Sequence, residues 1–247
     1  MPRCSPEEAL DMATLESLYS YLTPRDREII ELSGYGARMG FGACPALVIV
    51  DATYGFCGDR REPITDSVRR WPNSCGEASW DAIDRIRELL AAFRAQQRPV
   101  IYTRGAYRDD KWDMGSWLWK HARSRPQEAP VSQSDRHHDE IVEEIAPQPS
   151  DLVIGKQKPS AFFSTPLQSY LTLLGADSLV VAGGSTSGCV RATVVDGFSA
   201  NYRIAVAADA CFDRLQSSHA MSLLDMHAKY ADVLDTADIL GHFGASA

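Results

Sequence analysis

Three side chains that could together hydrolyse an amide follow apolar parts of the chain. Asp51 and Lys156 each end an apolar run, and Cys189 follows the glycine-rich turn of residues 183–188. A thiolate is a nucleophile, a carboxylate can take up and return a proton, and an ammonium stabilises nearby negative charge. We expect the start of a helix and the neighbouring Lys156 to lower the pKa of the Cys189 thiol. Backbone N–H groups of the turn could then stabilise an oxyanion.

Other chemistries of the same turn fit less well. Residues 183–188 have the glycine spacing of a phosphate-binding loop, but Cys189 and Val190 stand where that loop needs Lys and Ser or Thr. The turn has no dinucleotide-binding Gly-x-Gly-x-x-Gly pattern, and the chain contains no Cys-x-x-Cys pair for a redox site or a closed zinc site. Taken singly, a Cys, Asp or Lys is often structural, so the hydrolase hypothesis depends on all three meeting.

A parallel sheet would bring these residues together. Apolar runs predict buried strands, and amphipathic stretches between them predict helices. The predicted strands are residues 46–50, 99–103, 152–155, 179–184 and 204–208, with a last short strand within 233–240. The predicted helices are residues 80–96, 141–145, 164–174, 188–202 and 218–230. Such alternation predicts an α/β fold with right-handed crossovers. Ligands of open α/β sheets bind beyond the carboxyl ends of the strands, where Asp51, Lys156 and Cys189 would lie.

The flanks and one long connection differ from this pattern. Residues 1–43 are predicted to form an N-terminal helical extension, with helix starts at Pro6 and at Thr23-Pro24, and residues 44–247 form the hydrolase domain. Residues 104–135 form a long polar segment, and loops of this length are usually functional. This segment contains Trp112, Trp117 and Trp119. These side chains either pack in the fold or at an oligomer contact, or they form part of a pocket wall.

The bulk composition excludes several classes of partner. The 247 residues carry a net charge of −8, so no basic surface for nucleic acid or an anionic membrane is expected. Apolar runs are too short to span a bilayer. The six cysteines form no dense framework, so we expect reduced thiols and a cytoplasmic protein.

Three motifs, taken in order, resemble the isochorismatase-like cysteine hydrolase superfamily. They are residues 46–51, the Lys-x-Lys-x-Ser-Ala-Phe segment 156–162, and the nucleophile loop 182–193, and the resemblance covers about residues 44–240. It implies a three-layer α/β/α fold with a six-stranded, mostly parallel sheet. It also implies Asp51 as general base, Lys156 as its charged partner and Cys189 as nucleophile. A cis peptide between Gly184 and Ser185, oxyanion-binding amides of Ser185 and Cys189, and no cofactor complete the expected site.

Residues 186–196 and 211–214 are similar to the N-carbamoylsarcosine amidase branch of that family. The similarity implies hydrolysis of a C–N bond in a small carboxylate-bearing amide or carbamoyl compound, N-carbamoylsarcosine first and maleamate as the alternative. It implies substrate contacts from Arg214, Gly184 and Thr186, and a homotetramer. A guanidinium suits a carboxylate, although Arg214 could equally form a surface salt bridge.

A catalytic metal is not expected. The nicotinamidase branch carries Asp and His ligands after its second strand, whereas residues 104–110 contain no His. His137 and His138 could be ligands, but adjacent histidines in a polar loop are more often solvated.

A non-catalytic binding or scaffold protein on the same fold is the alternative of a different class. It predicts slow, uniform thiol labelling at pH 7, whereas the enzyme predicts one fast site at Cys189.

Overall fold

The computed structural model describes residues 15–121 and 134–244. The expected helix start at Pro6 and the thiol of Cys4 lie outside the described residues. None of the helices within the described ranges is long and apolar enough to cross a membrane.

A six-stranded parallel sheet forms the centre of the molecule, which confirms the predicted fold class. The strand order is β3-β2-β1-β4-β5-β6, and the strands are β1 (Pro45–Val50), β2 (Val100–Gly105), β3 (Leu152–Lys156), β4 (Ser178–Gly184), β5 (Arg203–Phe212) and β6 (Asp232–Leu234). The chain moves outward from β1 to β3 and then returns to place β4 beside β1. The switch in direction between β1 and β4 is where an open α/β sheet forms its ligand crevice.

Helices cover both faces of this sheet. In the described residues they are α1 (Leu15–Tyr19), α2 (Pro24–Ser33), α3 (Tyr54–Cys57), α4 (Ile64–Arg70), α5 (Glu77–Ala95), α6 (Ser116–Lys120), α7 (Leu167–Leu173), α8 (Arg191–Ser199), α9 (Gln216–Lys229) and α10 (Thr236–Gly244). Every residue of β1 and β4 is buried, as uninterrupted apolar runs predict. Along β1, Leu47 and Ile49 join the core beneath α5, whereas Val48 and Val50 join the core on the opposite face.

Several predicted boundaries were wrong, each for a local reason. The strand expected to end at Asp209 continues to Phe212, because Cys211 and Phe212 pair with Gly183 and Gly184 of β4. The last short strand predicted within 233–240 is present as β6, and α10 follows it from Thr236, whose amide and hydroxyl donate to the Asp209 carboxylate at 2.8 and 2.7 Å. The helix predicted over 188–202 is a π-helical turn, Thr186–Val190, followed by α8.

The remaining differences are shorter. The helix expected from Ser164 begins at Leu167, after Pro166, and α5 begins three residues before Trp80. The helix expected over 141–145 is a 3₁₀ turn of Glu143–Ile145, because Ile141 pairs with Thr53 in an isolated antiparallel bridge. The segment 104–135 contains a 3₁₀ turn, Trp112–Met114, and α6.

The described part of the N-terminal extension packs on the main core. The Thr23 hydroxyl accepts from the amide of Asp26, and the Asp26 carboxylate accepts from the amide of Thr23, which confirms the predicted helix start. Leu18 is fully buried in the core beside α9. The Asp232 carboxylate accepts from the amide of Gly40 at 2.8 Å. The division into residues 1–43 and 44–247 stays a prediction.

Candidate active site

Asp51, Lys156 and Cys189 meet at the carboxyl edge of the sheet. The Nζ of Lys156 lies 2.7 Å from Oδ2 of Asp51, and the Cys189 thiol is within hydrogen-bonding contact of both side chains. Only 3% of Asp51, 6% of Lys156 and 7% of Cys189 is exposed. The three residues thus form one buried cluster, although they come from distant parts of the chain.

The end of β1 sets the position of the carboxylate. Asp51 adopts a left-handed backbone with φ of 47°, which a non-glycine residue rarely takes without support from its surroundings. Its amide donates to the carbonyl of Thr103 at 3.2 Å, and the hydroxyl of Thr103 donates to Oδ1 at 2.9 Å. One carboxylate oxygen therefore receives a hydroxyl donor and the other receives the ammonium of Lys156.

Sequence reasoning missed Thr103, although it was predicted to be the last residue of the second strand. Its importance follows from strand adjacency, because Thr103 pairs with Val50 in the register of β1 and β2 and so lies next to Asp51. The polar residue that ends an otherwise apolar run was the available signal.

The ammonium of Lys156 is held by three acceptors. Besides Asp51 and the thiol, Nζ donates to the carbonyl of Lys158 at 3.1 Å. Burial lowers the pKa of Lys156, but the charges of Asp51 and Cys189 outweigh it and raise the pKa above its ordinary value. The lysine is accordingly a permanent cation.

The predicted low pKa of the Cys189 thiol was wrong. Burial and, to a lesser extent, the charge of Asp51 raise the pKa of Cys189 to about 12, although Lys156 acts in the opposite direction. Because the two partner charges oppose each other, the loss of solvation dominates. The resting group is a thiol, so Cys189 could act as a nucleophile only if a base removed its proton.

Close approach explains the glycines that precede the nucleophile. A Cβ on Gly183 would lie 2.1 Å from the carbonyl oxygen of Val50, and φ at Gly183 is 105°. A Cβ on Gly184 would lie 2.1 Å from the ring of Phe212. The peptide between Gly184 and Ser185 is cis, as the resemblance implied. Gly184 as a substrate-binding residue stays a prediction.

The π-helical turn already uses several of its amides. Gly188 and Val190 donate to the carbonyl of Ser185 at 3.0 and 3.2 Å, and Ser187 donates to the Asp213 carboxylate at 2.7 Å. The predicted oxyanion donors, the amides of Ser185 and Cys189, are not among these three. The oxyanion site at Ser185 and Cys189 stays a prediction.

Thr193 joins the nucleophile segment to the lysine segment. Its buried hydroxyl donates to the carbonyl of Cys189 at 2.7 Å and accepts from the amide of Ala161 at 2.9 Å. This hydrogen-bonded link holds the start of α8 against the loop that follows Lys156.

The described part of the 104–135 segment lies over the lysine loop. The indole of Trp117 donates to the carbonyl of Gln157 at 2.9 Å, and Lys158 donates to the carbonyl of Met114 at 3.2 Å. The hydroxyl of Tyr107 lies 3.5 Å from the carbonyl of Gln157. Burial raises the pKa of Tyr107 to about 12, with Lys156 acting in the opposite direction. Tyr107 is thus a protonated phenol near the cluster of Asp51, Lys156 and Cys189.

Arg214 comes two residues after Phe212, which pairs with Gly184 at the carboxyl end of β4. Its Nη1 donates to the carbonyl of Asn73 at 2.5 Å and contacts Sγ of Cys75 at 3.8 Å, and its guanidinium carbon lies 5.9 Å from the centre of the Phe56 ring. No ion pair of Arg214 is found with any carboxylate in the described ranges. The salt-bridge alternative therefore has no partner there, and the carboxylate-anchor role stays a prediction.

The two adjacent histidines differ in environment. His137 is exposed, as expected. His138 is instead half-buried over Gly55, and its ring lies 3.2 Å from Nδ2 of Asn73 and 3.3 Å from Asp139. Within residues 15–121 and 134–244, no group of three or more His, Cys, Asp or Glu side chains is arranged to hold a metal ion. All five cysteines of those ranges are free thiols.

The same edge of the sheet also carries a groove of about 810 Å³ over β5. Its lining includes Asp209, Asp213 and His219 but none of the three catalytic candidates. The groove is therefore next to the cluster rather than part of it.

This fold and cluster define a parallel α/β protein with a thiol, a carboxylate and an ammonium at its switch point. The chain belongs to the isochorismatase family, since the Isochorismatase domain model matches residues 45–238. The prediction of a hydrolytic enzyme is confirmed at the level of this family.

Named relatives and solved structures agree with that assignment. Maleamate amidohydrolase of Pseudomonas putida is 31% identical over 83% of this chain and 90% of its own length. N-carbamoylsarcosine amidase of an Arthrobacter species is 29% identical over 86% of this chain and 76% of its own length. A cysteine hydrolase from Pseudomonas syringae superimposes with a TM-score of 0.70 over 82% of this chain and 93% of its own, and at 24% identity it shows the fold alone.

Proposed function

We propose that this protein hydrolyses the C–N bond of a small amide or carbamoyl compound that bears a carboxylate. One observation carries the proposal: the buried Asp51–Lys156 ion pair, 2.7 Å long, lies against the thiol of Cys189. A carboxylate next to a buried thiol is placed to accept its proton, and the ammonium stabilises the negative charge that forms.

Acylation begins with transfer of the thiol proton to Asp51. The sulfur attacks the carbonyl carbon, and the carbonyl π electrons move to oxygen, where the amides of Ser185 and Cys189 stabilise the oxyanion. As the C=O bond re-forms, the C–N bond breaks, and Asp51 returns the proton to the departing nitrogen. Ammonia leaves, and a thioester or thiocarbamate remains on Cys189.

Deacylation uses the same groups with water as nucleophile. Asp51 accepts a proton from water, the hydroxyl oxygen attacks the acyl carbon, and the C–S bond breaks, with the proton delivered to sulfur. Maleamate would give maleate and ammonia. N-Carbamoylsarcosine would give sarcosine, carbon dioxide and ammonia.

The substrate carboxylate is assigned to Arg214. Nη1 of its guanidinium donates to the carbonyl of Asn73, and the other N–H groups along the edges of the guanidinium plane suit a carboxylate. Thr186 and Gly184 would contact the substrate through their backbone, because the Thr186 hydroxyl already contacts Phe212 and His219. Relatives named for maleamate and N-carbamoylsarcosine support a small carboxylate-bearing substrate.

The proposal also includes a cytoplasmic homotetramer. Trp112 and Trp119 are 78% and 80% exposed, and large exposed aromatic side chains suit an interface. Sedimentation velocity of the full chain, repeated on the double variant Trp112→Ser/Trp119→Ser, would test both the assembly and the surface.

Ammonia release from a panel of amides tests the activity. The panel contains N-carbamoylsarcosine, other N-carbamoyl amino acids, maleamate, nicotinamide and biuret. We expect turnover of a carboxylate-bearing member and a loss of at least about 10⁴-fold in Cys189→Ala. Full activity in Cys189→Ala, or no turnover of any member by the wild type, would contradict the proposal.

A further inference from the structure

Two side chains of the π-helical turn fasten it to the segment after β5. The turn, Thr186–Val190, carries the nucleophile and adjoins the predicted oxyanion donors. Ser187 donates through its amide and its hydroxyl to the carboxylate of Asp213, both at 2.7 Å. Thr186, which is fully buried, reaches the same segment through its hydroxyl. The placement of the turn therefore depends on residues outside it.

The hydroxyl of Thr186 has two partners. Its oxygen lies 3.1 Å from the carbonyl oxygen of Phe212 and 2.8 Å from Nδ1 of His219. A hydroxyl has one hydrogen, and a carbonyl can only accept, so the Thr186 hydrogen belongs to Phe212. Nδ1 of His219 then carries a hydrogen and donates it to Thr186. The result is a directed chain from His219 through Thr186 to Phe212.

This series of hydrogen bonds ends at Phe212, which contacts the residues that lead into the turn. The Phe212 ring lies so close to Gly184 that no side chain would fit there. His219 is in α9, which packs against the turn. Burial lowers the pKa of His219, with Asp213 acting in the opposite direction, so a neutral imidazole donates the hydrogen bond. His219 therefore connects α9 to the first residue after Ser185.

We infer that His219 is a positioning residue that holds the oxyanion-binding turn through Thr186. This inference rests on the proposed amide hydrolysis, and His219 itself touches none of the reacting groups. Because displacement of a reacting geometry by about 1 Å can cost about 10²-fold in rate, loss of the donor should act on kcat. Substrate binding through Arg214 should be unaffected, whereas the backbone contacts of Thr186 and Gly184 move with the turn, so KM should change less than kcat.

Four variants separate the hydrogen bond from the bulk of the side chain. His219→Phe keeps a ring and loses the donor, while His219→Asn can place its amide nitrogen where Nδ1 was. Thr186→Val removes the other partner, and a double variant combines Thr186→Val with His219→Phe. His227→Phe, at a buried histidine of the same helix whose Nδ1 has only a 3.4 Å bond from Val233, is the matched control.

We expect His219→Phe and Thr186→Val each to lower kcat by about 10- to 100-fold, with a smaller change in KM. The double variant should be no worse than Thr186→Val alone, because Thr186→Val already removes both hydrogen bonds of the hydroxyl, including the one from His219. His219→Asn should recover most of kcat, and His227→Phe should keep kcat per folded molecule. Thermal melting corrects every rate for the folded fraction.

Hydrogen exchange of the peptide that spans residues 184–191 provides a readout that needs no substrate. It should speed up in His219→Phe and Thr186→Val and stay slow in His219→Asn. Unchanged exchange, an unchanged kcat in His219→Phe, or multiplicative losses in the double variant would overturn the inference. A wild type inactive on every amide refutes the proposed function instead, and exchange still decides whether His219 holds the turn.

Discussion

The Cys189 thiol lies next to a carboxylate and an ammonium that are 2.7 Å apart, Oδ2 of Asp51 and Nζ of Lys156. Because these opposite charges offset each other at the sulfur, burial keeps the thiol protonated. The wild-type nucleophile should therefore react slowly with iodoacetamide at pH 7. That expectation replaces the fast labelling of Cys189 predicted from the sequence, so slow labelling no longer favours a scaffold.

Asp51→Asn should separate thiol reactivity from catalysis. Without the carboxylate charge, Lys156 is no longer opposed by a second charge, so the pKa of Cys189 should fall below its wild-type value and alkylation of Cys189 at pH 8 should accelerate. Amide hydrolysis should fall by about 10²- to 10⁴-fold, because the general base is lost. Mass spectrometry of the Cys189 peptide measures the first effect and ammonia release the second.

Lys156→Met is the opposite control. It removes the cation and leaves Asp51, so alkylation of Cys189 should become slower than in the wild type. Breaking a buried pair destabilises a protein by about 3–5 kcal/mol, so both variants need a melting curve. Equal alkylation rates in the two variants would refute this electrostatic account.

Thr103→Val should weaken the site without removing a reacting group. Valine keeps the shape of threonine but leaves Oδ1 of Asp51 without its buried hydroxyl donor. A hydrogen bond to a charged group contributes about 1.5–3 kcal/mol, so the free energy of unfolding should fall by about that amount. We expect kcat to fall by about tenfold as Asp51 loses its orientation. Thr103→Ser retains the hydroxyl. A loss of kcat in Thr103→Ser as large as that in Thr103→Val would argue against this role.

The meeting of the three candidate catalytic residues was predictable because strand ends follow from apolar runs. Asp51, Lys156 and Cys189 each come directly after such a run or its turn, and parallel strands bring their carboxyl ends to one edge. The roles of Thr103 and His219 could not be predicted from strand ends alone. The role of Thr103 depends on which strands are neighbours in the sheet, and that of His219 depends on how α9 packs against the turn. The direction of the thiol pKa shift could not be predicted, because it depends on the balance between burial and two opposing charges, and spacing along the chain does not reveal that balance.

Arg214→Met should discriminate between charged and neutral substrates. If the guanidinium binds the substrate carboxylate, KM for the preferred acid should rise by about 10- to 100-fold, in line with about 1.5–3 kcal/mol for charge-assisted hydrogen bonds. A neutral amide of the same size should show no such change. Arg214→Lys keeps the charge without the planar pair of donors, so its KM should lie between those of the wild type and Arg214→Met. An equal loss for acid and neutral amide would instead indicate that Arg214 supports the local structure through Asn73.

Stability in alkali should reveal the buried thiols outside the catalytic cluster. Burial raises the pKa of Cys75 to about 12, whereas the ordinary value is 9.0. Below pH 9 the thiol is protonated in both folded and unfolded chains, and between pH 9 and 12 only the unfolded chain loses the proton. The raised pKa therefore contributes stability below about pH 9 that is lost as the pH rises towards 12. Cys75→Ala lacks this term, so its deficit in unfolding free energy should shrink between pH 8 and pH 11 in urea titrations. Burial also raises the pKa of Cys57, so the deficit in unfolding free energy of Cys57→Ala should shrink over the same pH range. A deficit that stays constant across this range in both variants would show that the thiols ionise as easily in the folded chain as in the unfolded one.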